Sequence, residues 1–126
     1  MQIIRAADRT HRRGPADWFT GEVDMLEISG PGALLVTFAP RARTAWHTHP
    51  HGQTVHIVSG TARVGREGGV VEELQPGDAV HFEPGERHWH GAAAGGEMSH
   101  VAIAQPDDDG RPTYWEEHVS DADYGA

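Results

Sequence analysis

Along most of the chain, apolar and polar residues alternate in runs of four to eight, and Gly or Pro breaks the runs about every ten residues. A period of two marks strands buried on one face, and no segment sustains a competing helical period. Glu22–Ser29 (EVDMLEIS) and Ala33–Ala39 (ALLVTFA) read as a hairpin across a Gly30-Pro31-Gly32 turn. In the second run Leu34, Val36 and Phe38 share one face, with Leu35 and Thr37 on the other. Further strands are expected over Thr44–His49, Gln53–Ser59, Thr61–Glu67, Val70–Leu74, Ala79–Phe82, His88–Ala93 and Met98–Gln105, with turns at Gly68-Gly69 and at two Pro-Gly sites. Residues 1–20 carry Arg5, Arg9, Arg12 and Arg13 and read as an extended arm with a short edge strand at Gln2–Arg5. Pro106–Pro112 is acidic and is expected to be solvated. Thr113–Val119 fits either a last strand covering an edge or a short amphipathic helix. The predicted class is therefore all-β, a sandwich or barrel.

A length of 126 residues suits one domain. The organisation expected is an arm at 1–20, a barrel core at 30–105 and a C-terminal extension at 106–126. The chain has no cysteine, which removes disulfides, thiolate metal sites and cysteine nucleophiles and suits a cytoplasmic protein. The first residues lack the apolar segment of a secretory signal, and no run approaches the roughly 18 apolar residues of a membrane span. A formal charge of −9 argues against nucleic acid as a partner. Apolar residues on both faces of several strands predict a homodimer or a larger assembly, with Trp89 and His56 near the outer packing surfaces.

Ten histidines change the picture, because four of them fall in two pairs spaced by two. His47 and His49 project to one face of their strand, as do His88 and His90 of theirs. The bend at Pro50–Gly52 turns the chain back and brings the Gln53 amide toward the first pair. If the two strands face each other inside a barrel, three imidazoles and one amide oxygen converge on a site for a first-row divalent ion. A lone pair of this kind is mostly chance; two pairs on separate strands, each beside a Gly/Pro turn, are a stronger signal. His90 is then either a pocket base or a fourth nitrogen ligand. His100 shares a face with Met98, Ala102 and Ala104, and is either a polar group in the cavity or a buried imidazole bonded to backbone. Leu34, Val36, Phe38 and Val55 would line an apolar pocket, with Thr44 adding a hydroxyl. His11, His51, His56 and His118 read as surface residues, and His81 has no determined facing. Glu72, Glu73 and Asp107–Asp109 read as solvated charge.

These motifs resemble those of small single-domain cupins. His47-Thr48-His49, three residues, Gln53, six residues and Gly60 follow the first cupin motif, and Gly77 to Glu83-Pro84-Gly85 and His88 follow the second. Arg41 stands where the first motif opens with Gly, Glu83 replaces a Pro, and Ala92 stands where the second closes with Asn. The resemblance implies a double-stranded β-helix, or jelly-roll, barrel. Gln53 in place of the usual Glu brings no negative charge to the ion and leaves it more electrophilic. With WHTHPHGQT, PGERHWHGA and SHVAIA, the chain is most similar to the bacterial manganese-dependent cupin hydroxynitrile lyases. That likeness implies His47, His49, Gln53 and His88 as metal ligands, His90 and His100 as acid–base residues, and manganese as the ion, with Fe, Co, Ni and Zn as rivals. It implies a small-molecule substrate, a cyanohydrin or its aldehyde. The same parts would serve a cupin isomerase or dioxygenase, or a non-catalytic sensor of a small molecule. Metal affinity is expected to fall below about pH 6 as imidazoles take protons.

Overall fold

The computed structural model describes residues 1–30 and 32–125, so the turn expected at Gly30–Gly32 lies partly outside the described residues. The strands are β1 His11–Arg13, β2 Phe19–Thr20, β3 Val23–Glu27, β4 Ala33–Phe38, β5 Arg43–Thr44, β6 His47–Thr48 and β7 Gln53–Ser59. They continue with β8 Ala62–Arg66, β9 Glu72–Leu74, β10 Ala79–Phe82, β11 His88–Ala92, β12 Met98–Ile103 and β13 Tyr114–Trp115, and a single helical turn α1, Asp121–Tyr124, follows. Two antiparallel sheets pack as a jelly roll. One runs β1-β3-β4-β12-β7-β10; the other runs β13-β6-β11-β5-β2, with β8 on the second edge of β11 and β9 beyond it. The two inner faces enclose a core of Val23, Met25, Val36, Phe38, Ile57 and Met98 among others. That core is the product of the period-two pattern, since Val23 and Met25, or Val55 and Ile57, point inward while their neighbours point out.

Several expectations shift. No strand forms at Gln2–Arg5; the edge strand is β1, paired with β3 from His11↔Leu26 to Arg13↔Asp24. Residues 1–20 are not wholly an arm, because Phe19 in β2 is buried and pairs with Thr44. The strand expected over Thr44–His49 is broken at Ala45-Trp46, where Trp46 exchanges backbone hydrogen bonds with Glu116 and Glu117 of the C-terminal extension. Thr113–Val119 starts as a strand, with Tyr114 and Trp115 opposite Thr48 and His47.

The extension then crosses the outer face of the second sheet. Trp89 projects outward there, as its alternation with His88 and His90 requires, but Val119 and Tyr124 of the same chain cover it. Trp89 is 1 % exposed and so offers no surface to another subunit. The buried Arg43 guanidinium clamps the extension, donating to Val119 O at 2.7 Å and to Asp121 Oδ1 at 2.9 Å. The Tyr124 hydroxyl donates to Ala92 O at 2.7 Å, so the end of the second motif carries a small residue beneath an aromatic lid. Glu83 donates its backbone N–H to Glu86 Oε1 at 3.0 Å, a bond that the Pro usual in this motif lacks. Arg41 adopts φ +69°, the left-handed conformation that favours Gly at the opening of the first motif. Gly60 closes that motif at φ +75°, where a Cβ would collide with Glu97 O.

Candidate metal centre and active site

Five buried histidines gather between the sheets. His47 and His49 come from β6 and the residue after it, Gln53 from the start of β7, His88 and His90 from β11, and His100 from β12. Register explains the meeting: His88 lies opposite His47 across one sheet, and His100 lies opposite Val36 and beside Ile57 in the other. Aromatic rings wall the cluster. Phe82 stacks on His88 at 3.6 Å, Trp115 lies 4.7 Å from His47, and Phe38 lies 5.1 Å from His100.

Ring nitrogens of His47, His88 and His90 lie within 4.8 Å of one another. Proximity alone therefore groups His90 with His47 and His88. Hydrogen bonds give a different grouping, and chemistry favours the second. Nδ1–H of His47 donates to Ala45 O at 2.8 Å, that of His49 to Pro112 O at 2.7 Å, and that of His88 to Glu86 O at 2.8 Å. A carbonyl oxygen only accepts, so Nδ1 carries the hydrogen in all three rings and each Nε2 is a lone pair. Such outer bonds are the usual means of orienting metal-binding imidazoles. Among the described residues, His49 Nε2 is buried without a hydrogen-bond partner. His88 Nε2 faces Gln53 Oε1 at 3.2 Å, lone pair toward lone pair. A cation between the groups would satisfy both arrangements. Three imidazole lone pairs and a neutral amide oxygen thus fit a divalent first-row ion.

His90 stands apart from that set. Its Nδ1 lies 2.9 Å from His100 Nε2, so the two imidazoles share one hydrogen, and its Nε2 reaches Gln53 Oε1 at 3.2 Å. Gln53 Oε1 accepts from His90 Nε2–H, which makes His90 Nδ1 the acceptor for His100 Nε2–H. His100 Nδ1 is then a lone pair, buried and without a hydrogen-bond partner among the described residues. Burial, followed by repulsion from His100, holds His90 well below the ordinary imidazole range, and burial lowers His100 to about 4. Burial likewise brings His88 down to about 3 and lowers His47 and His49. All five rings are neutral near pH 7, the form in which imidazole binds metal or accepts a proton.

A cavity of about 60 Å³ adjoins the cluster. Leu34, Val36, Phe38 and Thr44 line it. Val55 does not: it is fully buried in the core, and its cross-strand partner Ala102 takes the place on the wall. The Thr44 hydroxyl lies on the wall and accepts the His90 backbone N–H at 3.2 Å. Phe19, Met25, Thr113 and Trp115 also line the cavity, and none was singled out from the sequence. Phe19 and Trp115 sit in two-residue strands, too short to show a period. His11, His51, His56 and His118 are exposed, and His81 Nδ1 lies 3.1 Å from the exposed Thr54 hydroxyl. Asp107 is not merely solvated: it accepts the Tyr114 hydroxyl and the N–H groups of Asp109 and Arg111, shaping the turn that leads to Trp115.

A jelly roll with this histidine cluster inside it defines a cupin. The chain belongs to the cupin family: the Cupin domain family matches residues 34–103, which excludes the first strands and the extension. An (R)-mandelonitrile lyase of Granulicella tundricola is 52 % identical over 98 % of both chains. A cupin-like protein of Thermotoga maritima is 34 % identical over 89 % of both chains, with a TM-score of 0.79. A predicted oxalate decarboxylase of the same organism shares the fold alone, at 17 % identity and a TM-score of 0.70 over 81 % of this chain and 96 % of that one. No helix among the described residues is long and apolar enough to cross a membrane.

Proposed function

We propose that the protein is a metal-dependent lyase of the hydroxynitrile lyase type, which splits or forms a cyanohydrin. One observation carries this reading: backbone carbonyls at Nδ1 leave the Nε2 atoms of His47, His49 and His88 as lone pairs in the same buried cluster as Gln53 and a neutral His90–His100 pair. The likeness to the Granulicella enzyme supports the substrate class. His47, His49, Gln53 and His88 are the proposed ligands, with manganese the first candidate among the divalent metals.

A divalent ion in this set would supply Lewis acidity toward a substrate oxygen. The chain's own residues supply the proton chemistry. The cyanohydrin hydroxyl gives its proton to the His90–His100 pair, the bond to the nitrile carbon breaks, and a carbonyl forms. Cyanide leaves with the electron pair and takes a proton back from the pair, so aldehyde and hydrogen cyanide depart in balance. The shared hydrogen at 2.9 Å lets the pair move charge between His90 Nε2, near the ligands, and His100 Nδ1. Phe38 and Trp115 exclude water, and the Thr44 hydroxyl is placed to orient the substrate oxygen.

Elemental analysis of protein purified without a tag or chelator, beside His47→Ala, is the direct test. The expected result is about one equivalent of transition metal in the parent and almost none in the variant, with mandelonitrile cleavage lost together with the metal. A parent that is empty and does not reload with Mn, Fe, Co, Ni or Zn would sink the reading. We further propose that two copies pair across the outer face of the sheet containing β7 and β12, where Val58 and Ile103 are exposed. Light scattering at micromolar concentration should give the mass of a dimer, and a monomer's mass would exclude it.

A further inference from the structure

We propose that a chamber outside the catalytic cavity reads a carboxylate, and that the substrate of this protein carries one at the far end of a short apolar tail. The inference rests on the reading of the histidine-lined cavity as the catalytic site. That cavity holds about 60 Å³, whereas the chamber beside it holds about 490 Å³. Met25, Leu34, Thr113 and Trp115 line both, so the two spaces adjoin. The inner space is worth only a few water molecules. It takes a carbonyl or hydroxyl head, and the remainder of any larger substrate has to lie outside.

The chamber has two chemical features. Its floor is aromatic, with Trp18 stacked on Trp115 at 5.2 Å and 8°, which suits a flat apolar tail. Its rim carries two cations, Arg12 and Arg111. Arg12 is the cross-strand partner of Met25 and so shares its inward face. The next residue, Arg13, points outward and pairs with Glu22 and Asp24. Arg12 has no such acidic partner within 4.0 Å among the described residues. Arg111 lies over the Tyr114 ring at 5.6 Å. Its acidic neighbour is Asp107, whose carboxylate already accepts the Tyr114 hydroxyl and two backbone N–H groups. On a chain of net charge −9, an apolar chamber rimmed by two arginines is a local reversal of sign. Guanidinium forks match carboxylates in shape as well as in charge.

Two aldehydes of nearly equal shape test this: 4-formylbenzoate and the neutral 4-formylbenzamide, titrated calorimetrically into the metal-loaded protein. The parent is expected to bind the benzoate about fivefold more tightly than the amide, the size of a partly exposed ion pair. The Arg12→Gln, Arg111→Gln double variant should bind both alike, with affinity for the amide unchanged, and added salt should weaken the benzoate alone. Equal binding by the parent, or a preference that survives in the double variant, overturns the inference and leaves the catalytic reading intact. Failure of both aldehydes to bind the parent overturns the catalytic reading, and the inference with it.

Discussion

Stripped of metal, the protein should unfold cooperatively near pH 5, taking up several protons as it does so. The five clustered imidazoles all have folded-state values below 6.5, chiefly because burial penalises their charged forms. The unfolded chain therefore binds more protons than the folded one, and stability falls as pH falls. The stabilising contribution is complete above about 6.5 and is lost progressively toward the folded values, about 4 for His100 and about 3 for His88. Each imidazole held neutral contributes about 1.4 kcal/mol per pH unit inside its window, so several acting together remove several kcal/mol per unit. Domains are stable by about 5–15 kcal/mol, so one to two units below 6.5 exhaust that margin. Tryptophan fluorescence and near-ultraviolet dichroism of chelator-treated protein would follow the transition, and its steepness counts the protons. Native near-ultraviolet signal persisting to pH 4 would contradict the argument. Bound metal should move the midpoint lower, because it occupies the lone pairs that protons need.

This changes the physical basis of an expectation available from the sequence. Spacing alone placed loss of metal below about pH 6 by direct competition at ordinary imidazoles. With His88 held to about 3, protons reach the ligands mainly by opening the fold. The residues that converge were legible because a strand displays i and i+2 on one face: His47 with His49, and His88 with His90. Strand β7 was legible to the residue, since Gln53, Val55 and Ile57 alternate cleanly with Thr54, His56 and Val58. What orients the cluster was not. Ala45 O, Pro112 O and Glu86 O are backbone carbonyls, which carry no residue-type signal. One of them comes from a segment more than sixty positions away in the chain. The same extension supplies Trp115 and the cover over Trp89, so it helps to build the site, although its first part, Pro106–Pro112, read as solvated. Val55 was misplaced for a related reason: alternation gives the face of a strand but not the depth along it at which a cavity opens.

His100→Gln should lower kcat for cyanohydrin cleavage by about 10²–10⁴-fold, the range typical of removing a general acid–base group. Metal content should stay at the parent's level, because His100 touches His90 rather than the proposed ligands. Gln fills much of the same volume and still bonds His90 Nδ1, so packing against Phe38 at 5.1 Å is largely kept. It cannot take up a proton near neutrality. A merely structural role for His100 would show in stability and leave the shape of the pH–rate profile unchanged; loss of the relay removes the His100 limb of that profile. The variant also links the two arguments. Without the His100 imidazole one fewer proton drives acid unfolding, so the metal-free variant should unfold at a lower pH and with a shallower slope. Parent-like kcat in a metal-replete His100→Gln protein would move the acid–base role to His90 alone. Loss of metal together with activity would instead make His100 part of what holds the ligand cage in place.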